Sequence, residues 1–154
     1  MKDIKNILFV CTGNSCRSIM AEGYLQKRLE EENISAEVRS AGTLGIVGMV
    51  PSAGAVKVLK SERVSLEGLK SKELTDELIG WADIILVMEP SHKERIIQDR
   101  PDAEKKVLFL REFANDIGSL VIPDPIGRPL AFYKTSFQII KKSVEGFIKW
   151  LKEE

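Results

Sequence analysis

A short, wholly apolar run at residues 7–10 stands directly before Cys11 and a segment of helical periodicity. Because every position in the run is apolar, it indicates a β-strand covered on both faces. Four short segments predict strands, at residues 6–10, 36–40, 83–88 and 106–110, and they alternate with helical patterns. Such alternation predicts right-handed crossovers and a parallel sheet.

The helical segments complete the predicted architecture. Apolar residues recur at helical spacing over residues 16–32 and 132–151, and shorter helices are predicted at 52–61, 75–81 and 91–100. The last of these begins with Ser91 and has Glu94 three residues later, a pattern typical of a capping box. We predict an α/β fold, a three-layer α/β/α doubly wound domain with a four-stranded parallel sheet. At 154 residues and 44% hydrophobic content, residues 1–154 suit a single domain.

Charge and hydropathy exclude several classes of function. Basic and acidic residues both number 23, so the net charge is zero and predicts neither nucleic-acid nor membrane partners. The apolar run at residues 7–10 is too short for a signal peptide or a membrane span, so we expect a cytoplasmic protein. One histidine and two nearby cysteines make no metal-ligand set, so no metal or cofactor is expected.

The segment from Cys11 to Ser18, CTGNSCRS, combines a nucleophile, a glycine and an arginine between a buried strand and a helix. Ligands of parallel sheets bind at the carboxyl ends of the strands, where this segment begins. A loop leading into a helix N-terminus can direct amide N–H groups at an anion, and Arg17 adds a planar fork for two phosphoryl oxygens. We therefore predict a phosphate-binding loop, here called the Cys11 loop. Its members are Cys11, Thr12, Gly13, Asn14, Ser15, Cys16 and Arg17.

Individual residues of this loop suit distinct roles. Helix amides and Arg17 are expected to lower the pKa of Cys11 and make it a nucleophile. Ser18 is placed to donate a hydrogen bond to the Cys11 sulfur. Asn14 tolerates left-handed backbone and is expected to brace the loop. The glycine-rich stretch at residues 42–54 is expected to border the site.

These residues resemble a known family. The sequence VCTGNSCRS is similar to the loop of the low-molecular-weight protein tyrosine phosphatases, and Ser40-Ala41-Gly42 and Asp124-Pro125 extend the resemblance over nearly the whole chain. It implies a phosphotyrosine phosphatase I-like fold and hydrolysis of phosphorylated protein side chains through a phosphocysteine on Cys11. Two residues depart from the family pattern, namely Ile19 in place of the usual Pro and Ile126 in place of an aromatic residue that often follows Asp-Pro. The loss of Pro affects rigidity rather than chemistry.

The resemblance also implies a general acid, Asp124. Cleavage of a phosphoester needs a proton for the leaving oxygen, and neither Cys11 nor Arg17 can supply it during attack. Asp124 lies between two prolines and precedes Gly127. The alternative interpretation is a turn residue that accepts hydrogen bonds from nearby backbone N–H groups.

Two further residues have open interpretations. Cys16 could form a reversible disulfide with Cys11, or could simply line and pack the loop. His92 is the sole histidine and is interpreted as a surface or partly buried structural residue rather than a catalytic partner of Cys11.

Three positions bear on substrate choice. Family members that act on phosphotyrosine usually place aromatic residues around the slot, where this chain has Ile46 and Ile126. Relatives that hydrolyse phosphoarginine carry a small hydroxyl residue where Ser15 stands, and a hydroxyl can hydrogen-bond a guanidinium. Phosphotyrosine is the default expectation from the family, and phosphoarginine is the alternative.

Other classes of function fit less well. Arsenate reductases with this loop relay electrons through further cysteines, and this chain has none after Cys16. A non-catalytic phosphate-binding module would have no need of Asp124. The expected partner is a phosphorylated protein, and the expected state is a monomer or weak homo-oligomer.

Overall fold

The computed structural model describes residues 1–116 and 118–154, and its centre is a parallel sheet. The strands are β1 (Asn6–Cys11), β2 (Glu37–Gly42), β3 (Ile84–Val87) and β4 (Val107–Phe109). They pair in the order β2-β1-β3-β4, with every neighbouring pair parallel. The predicted four-stranded parallel sheet is confirmed, with strand ends shifted by one or two residues.

In the residues that the structure describes, five α-helices cover the two faces of the sheet. They are α1 (Arg17–Glu31), α2 (Ala53–Ser61), α3 (Asp76–Trp81), α4 (Pro90–Asp99) and α5 (Leu130–Lys152). Two short 3₁₀ helices, Pro101–Lys106 and Leu110–Ala114, flank β4 and were not predicted. Before α5, the Ile122 amide donates a hydrogen bond to the Met88 carbonyl at 2.9 Å, which places the residues next to Asp124 beside the carboxyl end of β3.

The strand β1 separates two apolar layers. Its side chains Ile7 and Phe9 pack with α1, α2 and α5, whereas Leu8 and Val10 pack with α3 and α4. All four are fully buried, and each buried large aliphatic side chain contributes about 1.5–3 kcal/mol of transfer free energy. The continuous apolar run therefore marks a strand covered on both faces, and the three-layer α/β/α prediction is confirmed.

The start of α4 corrects one expectation. The helix begins at Pro90, with Glu89 as its N-cap, so the predicted capping box at Ser91 is wrong. Ser91 instead donates a hydrogen bond to Glu89 Oε1 over 2.8 Å. Proline suits the first helical position because its fixed backbone angle matches the helix and its missing N–H has no intrahelical partner there. Within residues 1–116 and 118–154, no helix is long and apolar enough to cross a membrane.

Candidate active site

A cavity of about 200 Å³ lies at the carboxyl end of β1. The whole Cys11 loop lines it, together with Asp124 and the side chains Leu44, Ile46, Met49 and Ile126. The helix α1 begins at Arg17, at the end of this loop, and its N-cap residue Cys16 makes no side-chain capping bond in the described chain. The first amides of α1 therefore remain for an anion, and the helix dipole favours one.

The Cys11 thiol is buried at the floor of this cavity. Its sulfur lies 2.8 Å from Ser18 Oγ, as expected, and accepts a hydrogen bond from the Asn14 amide at 3.3 Å. Burial raises the pKa of Cys11, although the hydrogen bonds of Ser18 and Asn14 and the charge of Arg17 act to lower it. The prediction of a lowered pKa is therefore wrong, because desolvation of the buried thiol outweighs the nearby charge and hydrogen bonds on which that prediction was based.

Asn14 braces the loop as predicted. Its backbone is left-handed, with φ of 55°, and its Oδ1 accepts a hydrogen bond from the Lys72 amide at 2.8 Å.

Gly42, paired with Cys11 at the end of β2, allows the loop to approach closely, since a Cβ there would lie 2.6 Å from the Thr12 carbonyl oxygen. A side chain at position 42 would displace the loop.

The Arg17 guanidinium is only 2% exposed and is held from several sides. Its Nη1 donates to Glu89 Oε2 at 2.7 Å and to the Ile122 carbonyl at 2.9 Å. Its Nη2 lies 3.4 Å from Thr12 Oγ1 and 3.6 Å from Asp124 Oδ2. These contacts fix the plane of the guanidinium at the cavity, which is the arrangement that bidentate binding of a phosphoryl group requires.

Glu89 is a site residue that the sequence analysis missed. Burial acts to raise its pKa, but the hydrogen bonds from Arg17 and Ser91 and the charge of Arg17 lower it below the ordinary value. Glu89 therefore stays ionised as the partner of Arg17. A signal existed in the sequence: Glu89 directly follows the strand predicted at residues 83–88, and the strands of a parallel sheet end at the same edge, where ligands bind.

His92 contradicts its expected position. It is 1% exposed, and its Nε2 lies 3.0 Å from the Thr12 hydroxyl, next to the Cys11 loop. The first turn of α4 brings it there, because that helix begins at Pro90, directly after the end of β3. Burial and the charge of Arg17 lower the pKa of His92 to about 4. The ring is therefore neutral at physiological pH and supports the loop structurally.

Asp124 lines the cavity and also stabilises a turn. Its Oδ1 accepts a hydrogen bond from the Ile126 amide at 3.1 Å, as the turn interpretation expected. Its Oδ2 faces Arg17, and its side chain is 38% exposed. One carboxyl thus accepts from the backbone while its second oxygen remains beside the place where a substrate would bind.

The rim of the cavity is aliphatic. Ile46 and Ile126, the two expected specificity positions, both line it and are partly exposed, at 37% and 53%. Leu44 and Met49, from the same glycine-rich stretch as Ile46, complete the rim and were not singled out from the sequence. The stretch at residues 42–54 therefore borders the site as expected.

The remaining loop side chains lie deeper. Ser15 lines the cavity, and its Oγ lies 3.7 Å from Cys16 Sγ. Cys16 is buried and not disulfide-bonded, like Cys11, and its sulfur lies 3.2 Å from Ser52 Oγ and 3.5 Å from the Tyr133 hydroxyl. Ser18 is fully buried behind Cys11 and is the one predicted site residue that does not line the cavity.

A larger cavity of about 660 Å³ lies elsewhere, between α2 and the segment from Arg63 to Lys70. Its lining is mainly apolar and holds neither cysteine nor histidine. We assign the chemistry to the smaller cavity, because that one contains Cys11, Arg17 and Asp124. In the part of the chain that the structure describes, no group of three or more His, Cys, Asp or Glu side chains is arranged to hold a metal ion.

Comparison with known proteins decides the family. The model of the low molecular weight phosphotyrosine protein phosphatase family matches residues 6–154. The chain belongs to this family. Its members are cysteine-dependent hydrolases of phosphorylated proteins, and the chain is an enzyme of this kind.

The similar proteins are named either as tyrosine phosphatases or as arginine phosphatases. A putative low molecular weight protein-tyrosine-phosphatase of Klebsiella pneumoniae is 36% identical over 137 residues, which cover 89% of this chain and 90% of the relative. A protein-arginine-phosphatase of Geobacillus stearothermophilus is 33% identical over 148 residues, covering 96% and 97%. A solved mutant of the YwlE arginine phosphatase, with a phosphorylated active site serine, aligns with a TM-score of 0.90 at 32% identity, covering 97% of each chain.

Proposed function

We propose that this phosphatase works through Cys11, Arg17 and Asp124. The observation that carries the proposal is their convergence on one cavity of about 200 Å³ at the end of β1. The Cys11 thiol passes its proton to a phosphoryl oxygen of the bound substrate dianion, the resulting thiolate attacks phosphorus, and the bond from phosphorus to the leaving oxygen breaks. Asp124 gives its proton to that oxygen. Water then attacks the phosphocysteine, Asp124 takes a proton from the water, and the sulfur–phosphorus bond breaks to release inorganic phosphate.

Other residues stabilise charge in this cycle. Arg17 and the amides at the start of α1 bind the phosphoryl oxygens, whose charge is spread in the transition state. Ser18 donates to the sulfur and stabilises the thiolate both before attack and when it departs. Glu89 and the Ile122 carbonyl hold Arg17 in place. The cycle needs only substrate and water, and no cofactor.

The proposed substrate is a protein carrying phosphotyrosine. The rim of Leu44, Ile46, Met49 and Ile126 is aliphatic, and such side chains pack well against the two faces of a phenyl ring. The tyrosine phosphatase name of the Klebsiella relative supports this choice.

Phosphoarginine is the second candidate, and Ser15 favours it. The Ser15 hydroxyl lies in the cavity lining and can accept a hydrogen bond from a guanidinium N–H, which a phenolic ester does not offer. The arginine phosphatase names of the Geobacillus relative and of the YwlE structure support this alternative.

The test is parallel hydrolysis of two peptides that differ only in carrying phosphotyrosine or phosphoarginine. The wild-type protein, Ser15→Ile and Ser15→Thr are compared, with Cys11→Ser as the background. We expect a higher kcat/KM for phosphotyrosine, and a further shift towards it in Ser15→Ile. A preference for phosphoarginine that Ser15→Ile abolishes would establish the second candidate. Activity on neither peptide above the Cys11→Ser background would contradict the proposal.

The broader expectations belong to the same proposal. We propose that residues 1–154 form one domain, acting in the cytoplasm as a monomer or weak homo-oligomer on phosphorylated proteins. The single family match over residues 6–154 supports the first point. The balanced charge, with 23 basic and 23 acidic residues, supports a protein rather than a nucleic-acid partner.

A further inference from the structure

A line of buried hydrogen bonds runs from the Cys11 sulfur to a carboxyl group on α1. Cys11 Sγ lies 2.8 Å from Ser18 Oγ, which accepts from Asn14 Nδ2 at 2.7 Å. The same Asn14 nitrogen donates to Ser40 Oγ at 2.9 Å. Ser40 in turn donates to Glu22 Oε1 at 2.5 Å. All five side chains are buried.

The direction of each bond in this line follows from Asn14. The Lys72 amide donates to Asn14 Oδ1 at 2.8 Å, so the amide nitrogen of Asn14 must face the two serines. It donates one N–H to each of them. Ser18 and Ser40 both accept from Asn14, and their own O–H groups are left to point outwards along the line. Ser18 therefore donates to Cys11, and Ser40 donates to Glu22.

The geometry points to Glu22 as a positioning residue for the nucleophile. By accepting the Ser40 proton, Glu22 keeps the Ser40 oxygen as an acceptor for Asn14, and together with the Lys72 amide it holds the Asn14 nitrogen against Ser18. Glu22 can do this because a carboxylate only accepts hydrogen bonds, so it holds the Ser40 proton away from Asn14. A hydrogen bond to a charged acceptor in a buried place is among the stronger ones, and linked bonds polarise one another. Glu22 thus favours the thiolate of Cys11 without touching it or the substrate.

The surroundings of Glu22 fit this role better than a role in packing alone. Burial raises the pKa of Glu22, while the Ser40 hydrogen bond and the charge of Lys72 lower it. A buried carboxyl at this position costs free energy that an apolar residue would not, since only the Ser40 hydrogen bond and a distant charge offset its desolvation. Glu22 lies inside the core, one turn along α1 from the fully buried Ser18 and Ile19.

The first experiment measures the pH dependence of iodoacetamide alkylation of Cys11 in the wild-type protein and in Glu22→Gln. Fragment mass spectrometry assigns the label to Cys11 rather than Cys16. A glutamine at position 22 can turn its amide nitrogen towards Ser40 and donate a hydrogen bond to the Ser40 oxygen. The Ser40 hydroxyl then loses the acceptor for its own proton. We expect the midpoint of the alkylation profile to rise by about half to one pH unit in this variant.

A double-mutant cycle separates positioning from a general structural effect. Ser18→Ala removes the last donor in the line and should raise the same midpoint. If Glu22 acts through Ser18, then adding Glu22→Gln to Ser18→Ala produces no further rise. Ser40→Ala should reproduce the effect of Glu22→Gln. Additive shifts in the cycle, or an unchanged midpoint in Glu22→Gln, would overturn the inference.

A matched control is Glu145→Gln. Glu145 accepts hydrogen bonds from Tyr24 and Arg28 at the contact between α1 and α5, away from the Cys11 loop. This variant is expected to lose stability without moving the alkylation midpoint, and an equal shift in both variants would contradict positioning by Glu22. The inference rests on the proposed role of Cys11, but alkylation uses no phosphorylated substrate. A shifted midpoint in a protein without phosphatase activity would contradict the proposed function and leave this inference standing.

Discussion

His92 and Thr12 are joined by a hydrogen bond of 3.0 Å between the imidazole Nε2 and the threonine Oγ1. The Met88 amide donates to the other ring nitrogen, Nδ1, at 3.4 Å, so Nε2 carries the proton and donates to Thr12. The end of β3 and the first turn of α4 are thereby tied to the Cys11 loop. Protonation of His92 would remove the acceptor that Met88 uses.

The first prediction concerns the titration of His92. Burial and the nearby Arg17 lower its pKa to about 4, so its imidazole NMR signals should titrate near that pH. His92 is the only histidine in the chain, so the signal needs no assignment by mutation. A midpoint near the ordinary value of about 6.5 would contradict the buried, neutral ring.

The same shift has a consequence for stability. The unfolded chain binds a proton at His92 at higher pH than the folded chain does, so stability is lost as the pH falls from about 6.5 towards 4. Urea unfolding should show this loss in the wild-type protein, on the order of 1–3 kcal/mol, and a smaller loss over that interval in His92→Asn. Equal losses in both proteins would contradict the prediction.

The second prediction concerns Glu89→Gln. This change leaves the buried Arg17 without the nearer of its two charged partners and should lower kcat/KM by about ten- to a hundredfold, the range expected for one hydrogen bond to a charged group. Ser91→Ala is the control, because it removes the other hydrogen bond to Glu89 and keeps Arg17 paired. The two variants should differ clearly in steady-state kinetics. Similar kinetics in the two variants would contradict the role of Glu89 in holding Arg17 in place.

Glu89 also has a pH signature. Its pKa is lowered in the folded protein, so its contribution to stability is present above the ordinary glutamate pKa and is lost as the pH falls through the lowered one. The difference in unfolding free energy between wild type and Glu89→Gln should therefore shrink in acid. A difference that does not depend on pH would contradict ionisation of Glu89.

The third prediction separates the two roles of Asp124. Asp124→Asn keeps an Oδ1 acceptor for the Ile126 amide but cannot give a proton, whereas Asp124→Ala loses both functions. If Asp124 is the general acid, both variants lose about 10²–10⁴-fold in rate on substrates with poor leaving groups and much less on those with good ones. Burst kinetics over a series of aryl phosphates measure this. Equal losses of rate across the series, or near-normal activity in Asp124→Asn, would show that Asp124 acts only as a turn residue.

The fourth prediction concerns Cys11→Ser. Turnover should disappear, because a serine hydroxyl is a far weaker nucleophile at neutral pH. Affinity for inorganic phosphate should remain within about a few-fold, since Arg17 and the helix amides are unchanged. Calorimetric titration with phosphate checks the second point. Complete loss of binding in a folded variant would show that the cavity depends on the sulfur itself.

Much of the fold could be predicted because it follows local rules. The apolar run at residues 7–10, the helical periodicity after Cys16 and the ligand edge of a parallel sheet together located the Cys11 loop. The helix predicted at residues 75–81 is present as α3, and the Thr75 side chain caps it by accepting a hydrogen bond from the Leu78 amide at 3.1 Å. These features depend on neighbours a few residues apart.

The missed features depend on distant segments. Glu89 and His92 reach the loop because β3 lies beside β1, and the pattern of each segment alone did not show which strands are neighbours. The predicted capping box at Ser91 was wrong, and it led to the prediction that His92 lies at a helix start away from the Cys11 loop. The pKa of Cys11 was predicted in the wrong direction because the depth of its burial depends on the packing of the whole domain.

The most direct test of the central claim is to trap the phosphoenzyme. Asp124→Asn is mixed with a phosphotyrosine peptide and with a phosphoarginine peptide, quenched in acid within the first turnover, digested and sequenced by mass spectrometry. The account predicts one phosphoryl group on the Cys11 sulfur of Asp124→Asn, and no sulfur-bound phosphoryl group in Cys11→Ser/Asp124→Asn treated in the same way. A phosphoryl group on any other residue, or product formation with Cys11 unmodified throughout, would contradict it.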